Sequence, residues 1–181
     1  MRWIVKQNDI LDEPADVLIC SANAHLTLSG GVGAGLLVRY GNAMPTALQE
    51  VVQKRSPHCV KQGEIIPYAG PETPYRLVLH AVAIDGWYES SPEIVTDVTR
   101  RALKIAAEKG AKKVALTTLA TGFGHLTLAE FGKGITPLLN ENVSPIEEVT
   151  ICLLHDFQVA ELARHVSGLE CAATTNEPLT D

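Results

Sequence analysis

Two short segments have residue types and spacing suited to chemistry: Ser29-Gly30-Gly31-Val32-Gly33-Ala34-Gly35 and Thr121-Gly122-Phe123-Gly124. Each follows an apolar run of strand length, residues 17–20 for the first and 114–116 for the second. Each leads toward a stretch with helical spacing. A glycine-rich turn in that position aims several backbone N–H groups to one side, and a helix N-terminus adds partial positive charge. That combination binds phosphate without a basic side chain. Two such loops facing one another would clamp a diphosphate. Singly, either loop reads equally well as a tight turn; together, each at a strand end, they favour anion binding.

Two common nucleotide sites are disfavoured. The phosphate-loop pattern G-x-x-x-x-G-K-[ST] does not occur. The dinucleotide fingerprint G-x-G-x-x-G fails, because in Gly31-Val32-Gly33-Ala34-Gly35-Leu36 the third glycine comes one place early. A stretch rich in Ser, Asn, His and Thr also separates strand from glycines, where the dinucleotide turn would be immediate. With 15 Lys+Arg against 21 Asp+Glu the net charge is −6, so bulk nucleic-acid binding by charge alone is not expected. Cys20, Cys59, Cys152 and Cys171 form no C-x-x-C pair, and the six histidines no H-E-x-x-H, so no metal site is expected. No apolar stretch of about 18 residues and no leader pattern at the start are present, so the expectation is a cytoplasmic protein with reduced thiols and no membrane partner.

The elements that must position these loops are legible as runs. Strands are expected at residues 3–7, 15–20, 64–68, 77–84, 114–116 and 148–154. A first helix is expected from Leu36 to Gly41, a second over residues 43–54 and a last one over 157–166. Ser91-Pro92-Glu93 opens a helix with an N-cap serine and proline at the first position, closed by Gly110. Thr127-Leu128-Ala129-Glu130 reads as a capping box for a helix running toward Asn140. Hydrophobic residues make up 46% but aromatics only 5%, so the core is built from Val, Ile, Leu and Ala. Buried strands alternating with amphipathic helices predict an α/β fold, a mostly parallel sheet with helices on both faces. Neither repeat nor linker divides the chain; one domain is expected over residues 1–167 and a frayed polar tail over 168–181.

Five segments, in order, resemble the macro domain family: Asn8-Asp9-Ile10, Ala15-Asp16-Val17-Leu18-Ile19-Cys20-Ser21-Ala22-Asn23, Leu28-Ser29-Gly30-Gly31-Val32, His80-Ala81-Val82 and Ala120-Thr121-Gly122-Phe123-Gly124. The family patterns are G-D-I, V-D-A-I-V-N-A-A-N, a Gly-Gly-Gly-Val loop, I-H-x-V and S-T-G-[IV]-[YF]-G, the last shortened here by one residue. The resemblance implies a three-layer α/β/α sandwich with a mixed, mainly parallel sheet of about six strands. It implies binding of ADP-ribose, free or on a protein or small molecule, with no cofactor. Asp9 then accepts from the adenine amine with the Ile10 backbone beside it. Asn23 lies at the distal ribose. Ser29, Gly30, Gly31, Val32 and Gly33 form the first phosphate loop, and Thr121, Gly122, Phe123 and Gly124 the second, with Phe123 on the distal ribose. Leu154 holds the place of the aromatic that often covers the adenine, and Phe157 is the alternative. For Asp9 and Asn23 a local role, capping a turn, stays open.

The departures bear on activity. In hydrolytic members an Asp follows the Gly-Gly-Gly-Val stretch and helps activate water; here Gly33 stands there. Losing such a base removes about 100- to 10,000-fold. Cys20 or Ser21 replaces the first Asn of N-A-A-N, Asn8 the Gly of G-D-I, and Ser29 the first loop Gly. Three readings follow: a binding module; a hydrolase of ADP-ribosyl esters or O-acetyl-ADP-ribose with Asn23 as the catalytic candidate holding water; and a nucleotide-independent scaffold. His80 reads as a core residue rather than a base. His125, Asp85 and Trp87 are candidates for the rim of the site.

Overall fold

The computed structural model describes residues 1–172. Seven strands form one sheet: β1 (Arg2–Gln7), β2 (Val17–Ser21), β3 (Ile65–Tyr68), β4 (Leu77–Ala81), β5 (Lys113–Leu116), β6 (Glu148–Leu153) and β7 (Glu170–Cys171). Their spatial order is β3-β4-β2-β5-β6-β1-β7, and β3 alone runs antiparallel to its neighbour. The helices are α1 (Gly31–Tyr40), α2 (Ala43–Gln53), α3 (Pro92–Glu108), α4 (Leu128–Ile135) and α5 (Asp156–His165).

Strand β2 sits mid-sheet, bonded to β4 and β5, and its Val17, Leu18, Ile19 and Cys20 are all buried. A continuous apolar run is what a parallel strand covered on both faces needs. Alternate side chains point to opposite faces. Val17 and Ile19 pack with Val95 and Val98 of α3, Phe131 of α4 and Leu162 of α5. Leu18 and Cys20 pack with Leu36 of α1 and Met44 and Leu48 of α2. The result is the expected three-layer sandwich.

Helix ends follow the sequence signals. Ser91 caps α3, and Thr127 with Glu130 forms both halves of a capping box on α4. Several boundaries differ from expectation. The fourth strand ends at Ala81 rather than residue 84, since the chain turns there into the loop that walls the cavity described below. Helix α4 gives way at Ile135 to a tighter turn over Thr136–Leu138, with Pro137 inside it. Glu170 and Cys171, placed in the expected tail, instead pair with Ile4 and Val5 as a short edge strand. The rest of that tail, residues 173–181, lies outside the described residues.

His80 on β4 is fully buried, as expected, but only half satisfied. Its Nδ1 lies 3.5 Å from Cys20 Sγ, and its Nε2 has no partner among the described residues. Burial pulls its pKa down from 6.5 to about 4. The folded chain thus keeps the ring neutral while the unfolded chain protonates near pH 6.5. Stability from this group is complete above pH 6.5 and is lost as pH falls toward 4. Between pH 7 and 5 the expected loss is about 2 kcal/mol. Urea unfolding at the two values checks it; His80→Leu removes the slope, and a wild-type protein without the slope would refute the assignment.

Candidate functional site

Strands β4, β2, β5, β6 and β1 are parallel neighbours, so their carboxyl ends lie in a row along one edge. The loops leaving these five ends enclose one cavity of about 510 Å³. That size suits a small ligand, and the place is where open α/β sheets bind theirs. Tyr88 lines it beyond β4, Asn23 and Gly30 beyond β2, Thr121 and Phe123 beyond β5, Leu154 beyond β6 and Asp9 beyond β1. The cleft spans four strand spacings, roughly 19 Å at about 4.8 Å each. Asp9, Ile10, Asn23, Ser29 to Gly33, Thr121 to Gly124 and Leu154 all line this cavity.

The first loop is not a separate turn before a helix at Leu36. Helix α1 begins at Gly31, so Gly33 and Gly35 lie inside it. The glycines serve close approach: a Cβ on Gly33 would stand 3.1 Å from the Leu28 backbone. Gly30 is the N-cap without a side-chain cap, and Gly31 takes a φ of +51°. The N–H groups of Gly31, Val32 and Gly33 have no partner among the described residues; bonding begins with Ala34 N to Gly30 O at 3.3 Å.

The second loop does not feed a helix N-terminus directly. Its neighbour α4 starts at Leu128, and the capping box already satisfies amides there. The loop presents its own amides instead. The N–H groups of Thr121, Gly122, Phe123 and Gly124 are unpaired among the described residues, and bonding resumes at His125 N to Tyr88 O, 3.3 Å. The turn is tight, with Ala120 at a φ of +62° and Leu126 N on Ala120 O at 3.2 Å. The exposed Phe123 ring reaches across to the first loop, where a Cβ on Gly30 would stand 2.5 Å from its Cε2.

Charge in the cavity is sparse. Among the described residues lining it, Asp9 is the only carboxylate, and no Lys, Arg or His contributes. An anion held there rests on main-chain N–H groups and the start of α1. Asp9 does the local work left open for it and more. Its Oδ1 accepts from Leu11 N at 2.9 Å, and its Oδ2 from Arg39 Nη2 at 2.7 Å. Asn23 is tied into its own loop: Oδ1 accepts from His25 N and Thr27 N, and Nδ2 donates to Thr27 Oγ1 at 2.8 Å. Cys152 lines the floor, its thiol pushed up to about 12 by burial and then by Glu13.

None of the three rim candidates lines the cavity. Asp85 Oδ1 accepts from Trp87 N at 2.8 Å and Glu89 N at 2.9 Å, and this turn leaves Trp87 82% exposed while Tyr88 lines the cavity. Tyr88, at a φ of +66°, is thus the rim residue the sequence did not reveal; the Asp85-Gly86 turn dipeptide was its only signal. His125 pairs with Glu89 at 2.9 Å outside the cavity lining. Phe157, the alternative cover for the base, stacks on His155 and does not line the cavity.

The sequence matches the Macro domain family over residues 19–132, a stretch that runs from β2 through both glycine loops. The chain belongs to the macro domain family. It is 26% identical over 149 residues to a macro domain-containing protein of Streptomyces griseus, covering 81% of this chain and 84% of that one. It is 29% identical over 120 residues to the O-acetyl-ADP-ribose deacetylase of Enterobacter cloacae, covering 65% and 66%. Among solved structures, an Oceanobacillus iheyensis macrodomain mutant with ADPR superposes with a TM-score of 0.77 at 19% identity, covering 89% of each chain. In this macro domain Gly33, with no side chain, lies in the first turn of α1.

Proposed function

We propose that this macro domain binds ADP-ribose, free or carried on a partner, with its diphosphate between the two glycine loops. One observation carries the reading: amides of Gly31 to Gly33 and of Thr121 to Gly124, unpaired among the described residues, line one cavity to which no described basic side chain contributes. The row of strand ends orders the ligand. The adenine lies at the β1 and β6 end, against Asp9, Ile10 and Leu154; the distal ribose lies at the β2 and β4 end, near Asn23, Phe123 and Tyr88. The Oceanobacillus macrodomain solved with ADPR supports this reading by its shared fold. Calorimetry tests it: saturable heat at micromolar ADP-ribose is expected, and no heat at millimolar ligand would leave only a scaffold.

A second reading, hydrolysis of O-acetyl-ADP-ribose or of ADP-ribosyl esters, is favoured by the Enterobacter relative. Water would add to the acyl carbon and the ribose oxygen would leave, with loop amides stabilising the negative charge. Against it stand the carboxylate-free distal end and the carboxamide of Asn23, spent on its own loop. Turnover in wild type is therefore expected to be slow or nil, and Asn23→Ala to weaken ADP-ribose binding about tenfold by loosening the Asn23–Thr27 turn. A deacetylation assay beside calorimetry checks both. Brisk wild-type turnover lost in Asn23→Ala would reverse the ranking of the two readings.

A further inference from the structure

The turn after β1 is wired to the rest of the domain from two sides. From α1, the Arg39 guanidinium bonds Asp9 Oδ2 at 2.7 Å through Nη2 and Asp12 through Nη1. From below, the buried Tyr75 hydroxyl donates to Ile10 O at 3.3 Å. Arg39 ties α1 to this turn through ion pairs that open to water. Its side chain and those of Asp9 and Asp12 are 34%, 42% and 59% exposed, and ion pairs that open to water add little stability.

We infer that Arg39 is a positioning residue that sets base selectivity by holding the Asp9 carboxylate in one orientation. The inference rests on reading this end of the cavity as the adenine subsite. A carboxylate has about four acceptor positions. Leu11 N and Arg39 take one on each oxygen, leaving the others to meet an exocyclic amine. With Arg39 absent, the carboxylate keeps only the Leu11 N bond, swings about it, and loses its fixed aim. Arg39 also neutralises a carboxylate in a cavity that would otherwise present net negative charge to a diphosphate. One guanidinium spans two carboxylates because its N–H groups diverge in a plane; a lysine ammonium replaces the charge but not that fork.

Calorimetry with ADP-ribose and with its hypoxanthine analogue, inosine diphosphate ribose, tests this on the whole chain. The analogue presents a 6-oxo group to Asp9 in place of the amine. Wild type is expected to prefer ADP-ribose. Arg39→Ala weakens ADP-ribose roughly tenfold, the loss of one charge-assisted hydrogen bond. The analogue changes less, so the preference shrinks. Arg39→Lys recovers part of the affinity and little of the preference. In an Asp9→Asn background, Arg39→Ala produces no further loss of preference. Thermal unfolding of each variant separates this from a fold effect. An unchanged preference in folded Arg39→Ala, or losses that multiply in the Asp9→Asn background, overturns the inference while the reading of the cavity stands. A wild type that binds neither nucleotide overturns both.

Discussion

Gly31→Glu is expected to abolish ADP-ribose binding, with at least a hundredfold loss of affinity, while the domain stays folded. Gly31 lines the cavity, and no atom lies within 4 Å of a Cβ built on it. The new side chain therefore enters open space rather than the core. Its carboxylate would stand beside the ligand diphosphate, where like charges about 4 Å apart repel by roughly 4 kcal/mol at an effective dielectric of 20. The folded state bears a smaller cost. The φ of +51° suits glycine, and a non-glycine residue there loses about 1–2 kcal/mol, within the margin of an ordinary domain. Calorimetry and thermal unfolding read the two effects separately. Gly122→Val probes the opposite loop without that strain, since Gly122 has open space and no positive φ. If Gly31→Glu bound ADP-ribose normally, the first loop would not face the phosphates.

Gly124→Ala is expected to fail differently, losing binding and stability together. A Cβ there would stand 2.3 Å from Ala120 O and 2.8 Å from Ala120 C. Both are backbone atoms in a turn already fixed by the Ala120 φ of +62° and the Leu126 N bond to Ala120 O. No rotamer change relieves the clash, so the loop must open. The expected cost is about 2–3 kcal/mol, in the range of clash and backbone-strain substitutions. For a domain of this size that lowers Tm by about 5 °C or more. Opening also spreads the Thr121 to Gly124 amides, so affinity falls with Tm. Unchanged Tm and affinity in Gly124→Ala would show that the second loop is not the rigid element described here.

The sheet was legible because its signals are local. Residues 17–20 are uniformly apolar because β2 is covered on both faces, and Ser91 with Pro92 announces α3 through the chemistry of its first turn. The two glycine loops were legible because each clusters glycines beyond an apolar run of strand length. What escaped depends on contacts distant in sequence. Gly33 sits inside α1 because the helix packs on the Leu28 backbone, which spacing alone does not reveal. Arg39 meets Asp9 across 30 positions, and β7 pairs with a strand from the opposite end of the chain. For Asn23 the sequence left a ligand role and a turn role open, and Thr27 and His25 occupy its carboxamide. Tyr88 faces the cavity in place of Trp87 because Asp85 bonds two amides of its own turn.

The central claim is that main-chain N–H groups from both loops hold one diphosphate. A crystal structure with ADP-ribose tests it most directly. The prediction places phosphate oxygens about 3 Å from amide nitrogens of both segments, Gly31 to Gly33 and Thr121 to Gly124, with the adenine amine on Asp9. A diphosphate bound to one loop only, or held by side chains elsewhere on the domain, would contradict it.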